Sequence, residues 1–276
     1  MSRRLGLIAG SGRFPFEVAE AAARSGAEVS ILAIEGNTDP EIERCATGSF
    51  GWVAAGELEK LIGFLAGAGA DDVILAGAVA KREMLRDPAA LRPDARALAL
   101  LAKLQERGDD TILSALAREL ESEGFSVVSS TLYLGDRLTP PGTFGSLPPS
   151  EPLLEDLELG LRVAHSLGVH DVGQTVIVKQ GSVLALEAAE GTDAAIRRGA
   201  ELGGAGAALV KAAKPDQDLR FDVPAIGPET LELVTEVGIC GIGLEAERTL
   251  VLERDRVCAL AETAGIPIVG LRSPGP

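Results

Sequence analysis

The residues best suited to chemistry are crowded into one stretch of the second half, VKAAKPDQDLRFDVPAIGPET (residues 210–230). Six charged side chains fall within twelve residues there: Lys211, Lys214, Asp216, Asp218, Arg220 and Asp222. Carboxylates can hold Mg²⁺ through one or two oxygens while water and substrate phosphate take its remaining positions. Arginine and lysine can neutralise the other phosphate oxygens. The stretch therefore indicates metal-assisted chemistry on a phosphate.

The spacing within this stretch predicts an extended run. Asp218, Arg220 and Asp222 stand two residues apart, so in a strand all three point to one face and the apolar residues between them to the other. Asp216 continues that face only if the extended run starts so early, and it is given no role. Alternating charges would keep each other ionised. A solvated ion-pair turn, without a ligand, is the alternative.

A second candidate site is the turn Gly10-Ser11-Gly12, which follows the apolar run LGLIAG. Glycines there let a phosphate approach the backbone, and the helix that follows supplies amide donors. The dinucleotide fingerprint needs a third glycine at position 15, where Pro15 stands, so an NAD-type oxidoreductase is disfavoured. A substrate-binding turn and a tight turn without a ligand both stay open.

Four other polar residues are not assigned to a site. Asp109 or Asp110 fits the N-cap of an amphipathic helix, for which no ligand is needed. The two histidines, His165 and His170, have no partner at a zinc-ligand spacing, so neither a zinc site nor a catalytic triad is expected.

The elements that must position these residues divide the chain into two α/β halves. Apolar strands alternate with helices up to about residue 132, which predicts a parallel, doubly wound sheet. The proline-rich segment 135–152 is interpreted as a linker. Beyond it, the pattern predicts a helix, a hairpin around Gln180-Gly181, a helix capped by Thr192 or Asp193, and further strands and helices. The predicted domains are 1–134 and 153–276, the second of mixed α/β type.

The composition excludes several classes of partner. The 276 residues carry a net charge of −15, so the chain has no basic face with which to bind nucleic acid. No apolar run reaches membrane-spanning length, and LGLIA is too short for a signal peptide. The three cysteines form neither a CxxC pair nor a disulfide framework, which favours a reducing compartment. We expect a soluble, cytoplasmic protein.

Four segments carry a resemblance to a known family. They are GLIAGSGRFP, ILAGAVAKREML, VIVKQGSVLALEAAEGTDAAI and KAAKPDQDLRFDVPAIGPET. Together they resemble the LpxI-type UDP-2,3-diacylglucosamine pyrophosphatases of lipid A biosynthesis. The resemblance implies Mg²⁺-assisted hydrolysis of a UDP-lipid to UMP and 2,3-diacylglucosamine 1-phosphate, with water attacking the sugar-side phosphorus. It also implies an N-terminal Rossmann-like domain, a C-terminal catalytic α/β domain with the substrate between them, a homodimer, and transient contact with the inner membrane face.

The resemblance carries over residue by residue. It implies that Asp222, the aspartate of the RFD motif, is the leading catalytic residue and metal ligand, with Asp218 as the second carboxylate. Arg220 matches the neighbouring QDxR position, and Lys211 and Lys214 match the lysines of VKxxKP, so all three would bind substrate. The rival interpretation is a non-catalytic nucleotide-sugar or lipid-binding module, which would need the cations but not the aspartates.

Overall fold

The structure, a computed structural model, describes residues 3–77, 91–104, 112–170, 172–215, 218, 220 and 223–273. The chain forms two compact units. Unit 1 comprises Met1–Gly135 and Asp218–Asp222, and unit 2 comprises Asp136–Gln217 and Val223–Pro276. Both units are α/β, as predicted from the alternation of elements. The predicted domain boundaries and the linker stay predictions.

Unit 1 is built on a five-stranded, wholly parallel sheet in the order β3-β2-β1-β4-β5. Its strands are β1 (Arg4–Ala9), β2 (Glu28–Ile34), β3 (Phe50–Val53), β4 (Asp72–Ala76) and β5 (Ser126–Val127). Its helices are α1 (Phe14–Arg24), α2 (Leu58–Gly67), α3 (Ala95–Leu104) and α4 (Ile112–Ser122), with a 3₁₀ helix at Pro40–Cys45. The predicted parallel sheet of the first half is thus confirmed.

The strand order of unit 1 fixes where a ligand site would form. The central strands read as continuous apolar runs because both faces of the sheet are covered. From β1 the chain passes outward to β2 and β3, then returns to place β4 on the other side of β1. The order therefore reverses between β1 and β4, and ligands of open α/β sheets bind beyond the carboxyl ends of strands at such a point.

The last strand of unit 1 is shorter than the sequence predicts. The apolar run GFSVVSSTLYL predicts one long strand, but β5 holds only Ser126 and Val127, and the chain turns at residues 130–133. Ser129 explains the end of the pairing, since its hydroxyl accepts the Thr131 N–H (3.2 Å) and lies 2.8 Å from the Thr131 hydroxyl. Such local hydrogen bonds compete with strand pairing.

Unit 2 is built on a six-stranded mixed sheet in the order β6-β13-β11-β9-β7-β8. Its strands are β6 (Gly142–Phe144), β7 (Thr175–Lys179), β8 (Ser182–Leu186), β9 (Ala208–Lys211), β11 (Gly241–Glu245) and β13 (Ile268–Leu271); β10 (Ala225–Ile226) and β12 (Leu250–Val251) form a separate parallel pair. Its helices are α5 (Glu151–Gly168), α6 (Thr192–Gly203), α7 (Pro228–Val237) and α8 (Arg254–Ala264). The strands β9, β11 and β13 are parallel and central.

The predicted hairpin is confirmed. Strands β7 and β8 pair antiparallel around Gln180 and Gly181, whose φ values of 49° and 72° are the two positive angles that a type I′ turn requires. The buried Asp156 of α5 accepts both of their backbone N–H groups at 2.7 Å. This carboxylate fixes the turn against the helix that covers the sheet.

One strand of unit 2 was not assigned from the sequence. Residues 135–152, interpreted as a linker, contain β6, which pairs antiparallel with β13 at the edge of the sheet. A three-residue edge strand next to prolines has too few residues to show an alternating pattern, so only its pairing reveals it.

Candidate functional site

The two predicted substrate-binding lysines lie at the carboxyl end of β9, a central strand of unit 2. Lys211 is the last residue of that strand and is buried. Its Nζ donates to the Thr192 hydroxyl (3.2 Å) and to the Ala225 carbonyl (3.0 Å). A buried ammonium group is stable only with such acceptors. Lys211 therefore ties β9 to β10 and to the start of α6.

The start of α6 differs from the prediction. Thr192 or Asp193 was expected to cap this helix, but its N-cap is Gly191, at a φ of 87°, without a side-chain cap bond. The Thr192 hydroxyl instead donates to Glu187 Oε1 (3.0 Å) while it accepts from Lys211. A side chain engaged in a chain of hydrogen bonds from β8 to β9 is not available to cap its own helix.

The segment around Lys214 is held on its backbone from several sides. The Ala212 N–H donates to the Gln174 carbonyl (3.0 Å), and the Ala213 N–H donates to Glu245 Oε2 (2.8 Å). Arg248 Nη2 donates to the carbonyl of Lys214 at 3.0 Å and lies 3.4 Å from that of Pro215. The polypeptide is thus fixed before it reaches residues 216–222.

Glu245, at the carboxyl end of β11, is a buried acid that the sequence interpretation missed. Its side chain is 0% exposed, and Oε1 lies 2.5 Å from the Ser273 hydroxyl, 3.1 Å from His165 Nε2 and 3.6 Å from Arg248 Nη1. Burial raises the pKa of this carboxyl, but His165, Ser273 and the Ala213 N–H lower it by more than burial raises it. The pKa therefore lies below its ordinary value. The missed signal is a lone acid closing the apolar run GIGLE at the end of a parallel strand.

Asp218 and Arg220 form an ion pair within unit 1. Arg220 Nε lies 3.0 Å from both Asp218 oxygens, and Arg220 Nη2 donates to Oδ2 at 2.7 Å. Arg220 Nη1 donates to Glu121 of α4 (2.9 Å), and its carbonyl accepts the Ser130 N–H (2.8 Å). The Arg220 hydrogen bonds lower the pKa of Asp218, and Asp218 raises that of Arg220. Mutual stabilisation of the ionised forms, as predicted, is confirmed.

The local backbone at this pair is a turn. The Arg220 N–H donates to Asp218 Oδ1 (3.0 Å), which is the closing bond of an Asx turn, and Arg220 itself lies in a turn. The predicted extended run is therefore wrong at Arg220, whose backbone N–H is bonded by the aspartate two residues earlier. The predicted alternative, an ion-pair turn, describes how this pair lies.

This arrangement bears on the predicted metal site. Both oxygens of Asp218 accept hydrogen bonds from Arg220, so Asp218 as it lies does not offer Mg²⁺ a free oxygen. Within the described ranges, no group of three or more His, Cys, Asp or Glu is placed to hold a metal ion. The leading candidate, Asp222, and Asp216 lie outside the described residues. The same holds for Asp109 and Asp110, the predicted helix cap.

The turn Gly10-Ser11-Gly12 lies where the strand order of unit 1 reverses. It joins β1 to α1, with the Gly10 N–H donating to the Ala76 carbonyl of β4 (2.8 Å) and Gly12 at a φ of 88°. Gly77, just after β4, has a φ of 89°, and a Cβ on it would lie 2.6 Å from the Ser11 carbonyl oxygen. The loops after β1 and β4 thus approach closely. This placement suits a ligand site, although a tight turn alone also explains the glycines.

Two compact units, each built on a central sheet with helices, define an α/β protein of two units. Comparisons with known proteins show to which family it belongs. The family models for the LpxI N-terminal domain and the LpxI C-terminal domain match residues 4–137 and 140–269. The UDP-2,3-diacylglucosamine pyrophosphatase LpxI of Caulobacter vibrioides is 36% identical over 280 residues, with 98% of each chain covered. The chain belongs to the LpxI family.

Solved structures give weaker likenesses. The biotin carboxylase domain of Hydrogenobacter thermophilus 2-oxoglutarate carboxylase is 14% identical, with a TM-score of 0.27, over 66% of this chain and 36% of that chain. The glycinamide-RNase-transformylase T of Mycobacterium tuberculosis is 20% identical, with a TM-score of 0.26, over 68% and 44%. The chain spans less than half the length of either structure. Among the helices of the described ranges, none is long and apolar enough to cross a membrane.

Proposed function

We propose that this protein hydrolyses the diphosphate bond of UDP-2,3-diacylglucosamine to UMP and 2,3-diacylglucosamine 1-phosphate, in lipid A biosynthesis. The observation that carries the proposal is the full-length similarity to the Caulobacter vibrioides enzyme of that name. The identity is 36% over 98% of both chains, and the two LpxI family models match residues 4–137 and 140–269, the ranges that hold every predicted site residue.

The predicted substrate-binding cations would bind the diphosphate. Lys214 is held at the carboxyl end of a central strand of unit 2, where α/β sheets place their ligands. Arg220 Nη1 would bind a phosphate oxygen in place of Glu121 Oε1, while Asp218 keeps the guanidinium oriented and charged. Lys211 is buried and hydrogen-bonded, so its part is to hold the strand end and to add positive charge. Gly10, Ser11 and Gly12 would contribute backbone donors.

The carboxylates would act on the attacking water. Asp222 is the leading catalytic residue and metal ligand of this proposal, and water attacks the phosphorus that keeps the lipid sugar. Mg²⁺, when bound, supplies a positive charge that offsets the charge built up at the phosphate oxygens. For Asp218 to act as a second metal ligand, Arg220 would have to give up its hydrogen bonds to one of the Asp218 carboxylate oxygens. UMP leaves as an acidic phosphate, so no strong general acid is needed at that oxygen.

The partners follow from this function. The substrate carries a nucleotide and two acyl chains, so the protein would work on lipid at the cytoplasmic face of the inner membrane, in transient contact with it. A homodimer is part of the same proposal. The rival, a non-catalytic nucleotide-sugar or lipid-binding module, would bind the same molecule and leave its diphosphate intact.

Purified protein incubated with UDP-2,3-diacylglucosamine tests the proposal. We expect UMP release with Mg²⁺, loss of release after chelation with EDTA, and recovery when Mg²⁺ is restored. Asp222→Ala should lower kcat by about 10²–10⁴-fold, the range for removal of a positioned catalytic group, while substrate still binds. Binding without UMP release by the wild-type protein would favour the binding module. Near-normal turnover by Asp222→Ala would remove the role given to this residue.

A further inference from the structure

We propose that Glu245 is a positioning residue, which fixes the Lys214 segment (residues 212–215) and so places Lys214, a proposed phosphate-binding residue. The inference rests on the proposed function, because the reaction it serves is the diphosphate hydrolysis. It assigns a task to a buried acid that neither the predicted metal site nor the predicted phosphate site includes.

Glu245 contacts the Lys214 segment directly. Glu245 Oε2 accepts the Ala213 N–H at 2.8 Å, inside the protein, where an unsatisfied amide would be costly. The other oxygen, Oε1, lies within 3.1 Å of the His165 imidazole and the Ser273 hydroxyl. The carboxylate therefore joins three separate parts of unit 2: α5, the end of β13 and the chain beyond β9.

Two further residues, Arg248 and Gly168, hold the same segment. Arg248 lies 3.6 Å from Glu245 and donates to the Lys214 carbonyl, so the acid also orients the arginine that grips the segment. Gly168, the last residue of α5, also lies against the segment. A Cβ at position 168 would lie 2.7 Å from Pro215 Cδ and 3.0 Å from Lys214 Cα. Supports from a strand end, a turn and a helix end leave the backbone little freedom.

Glu245 is a buried acid that is ionised. Its lowered pKa keeps the carboxylate charged at neutral pH despite full burial, which is sustained only by several simultaneous donors. A glutamine in its place keeps one acceptor oxygen and adds an NH₂ group. On the Oε2 side that NH₂ would face the Ala213 N–H, donor against donor; on the Oε1 side it would remove the negative charge that faces Arg248 Nη1. Glu245→Gln is therefore a small change in volume that disrupts the support of the segment.

The test compares Glu245→Gln with Glu247→Gln, which removes a carboxylate two residues away at an exposed position. With UDP-2,3-diacylglucosamine and Mg²⁺, we expect kcat/KM of Glu245→Gln to fall by about 10²-fold, the effect of a displacement near 1 Å in a catalytic site. Glu247→Gln should match the wild type. Hydrogen exchange of the peptide covering 210–215 should become faster in Glu245→Gln, while the other peptides of unit 2 keep their protection.

Arg248→Lys is the second variant, for the case that Glu245→Gln does not fold. Its side chain is 29% exposed, and lysine keeps the charge but lacks the planar guanidinium that donates toward the Lys214 and Pro215 carbonyls. We expect a fall in kcat/KM of at least 10-fold, by the same displacement.

Activity within two-fold of wild type in a folded Glu245→Gln, or in Arg248→Lys when the first variant does not fold, would overturn the inference. If hydrogen exchange became faster throughout unit 2 while kcat stayed unchanged, Glu245 would contribute only to the stability of the fold. If the wild-type protein releases no UMP, the proposed function fails, and the exchange data still decide whether Glu245 fixes the segment.

Discussion

Gly168→Ala perturbs the Lys214 segment without removing any charge or hydrogen-bonding group. Gly168 is the last residue of α5, and the added methyl would point at Lys214 and Pro215. The atoms it meets are a proline ring and a backbone carbon, which cannot rotate away as the tip of a flexible side chain can. The segment itself must move.

The size of the movement follows from the distances. The new Cβ would lie 2.7 Å from Pro215 Cδ, whereas carbon atoms rest at about 3.5–4.0 Å. The segment must therefore retreat by about 1 Å. Overpacking costs about 1–3 kcal/mol, while alanine in place of glycine gains up to about 1 kcal/mol in a helix. We expect the free energy of unfolding to fall by only about 0–3 kcal/mol, but kcat/KM to fall by about 10²-fold because the Lys214 segment is displaced.

The assay is UMP release at several substrate concentrations, together with urea unfolding of the same preparations. Gly67→Ala is the matched control, because Gly67 is likewise the last residue of a helix, α2, and a Cβ there would meet nothing within 4 Å. The control should keep its activity. Wild-type kcat/KM in Gly168→Ala would refute the reasoning, since it would mean that the position of the Lys214 segment does not matter for turnover.

Three further predictions concern unit 1 and the metal. Because Arg220 lowers the pKa of Asp218, their ion pair stabilises the folded protein above the unfolded pKa of about 3.9, and this stabilisation is lost as pH falls through the folded pKa. The melting temperature of Asp218→Asn should therefore be below that of the wild type at pH 7, and the difference should shrink toward pH 3. A difference that stays constant with pH would contradict this. The free energy of unfolding of Gly77→Ala should be about 1–3 kcal/mol lower than that of Gly26→Ala, because both glycines have φ near +88° but only a Cβ at position 77 clashes with the Ser11 carbonyl. Equal losses of stability would show that the loops after β1 and β4 do not approach each other closely. Asp222→Ala should lose Mg²⁺-dependent turnover while isothermal calorimetry still detects the substrate, and full turnover would contradict its role.

Much of the fold could be predicted from the sequence because its signals are local. The buried parallel strands of unit 1 are continuous apolar runs, and the hairpin of unit 2 turns at Gln180-Gly181, where positive φ angles are required. The short elements could not be predicted in this way. Strand β6 is defined by its pairing with β13, and β5 ends early because Ser129 forms a local hydrogen bond.

The site was less accessible to sequence reasoning, since its geometry depends on contacts between distant residues. The charged cluster of residues 211–222 stands out by composition, but alternation alone suggested a strand where Asp218 closes a turn on Arg220. The partnership of Glu245 with Ala213 spans 32 residues and leaves no spacing pattern. His165 was correctly given no zinc or triad role, yet its contact with Glu245 could be found only in three dimensions.

The most direct measurement of the central claim is hydrolysis of UDP-2,3-diacylglucosamine in H₂¹⁸O with Mg²⁺, followed by mass spectrometry of both products. We predict UMP without the label and 2,3-diacylglucosamine 1-phosphate carrying one ¹⁸O, because water attacks the phosphorus that remains with the sugar. Label in UMP would contradict the assigned direction of attack, and recovery of intact substrate would contradict the hydrolysis itself.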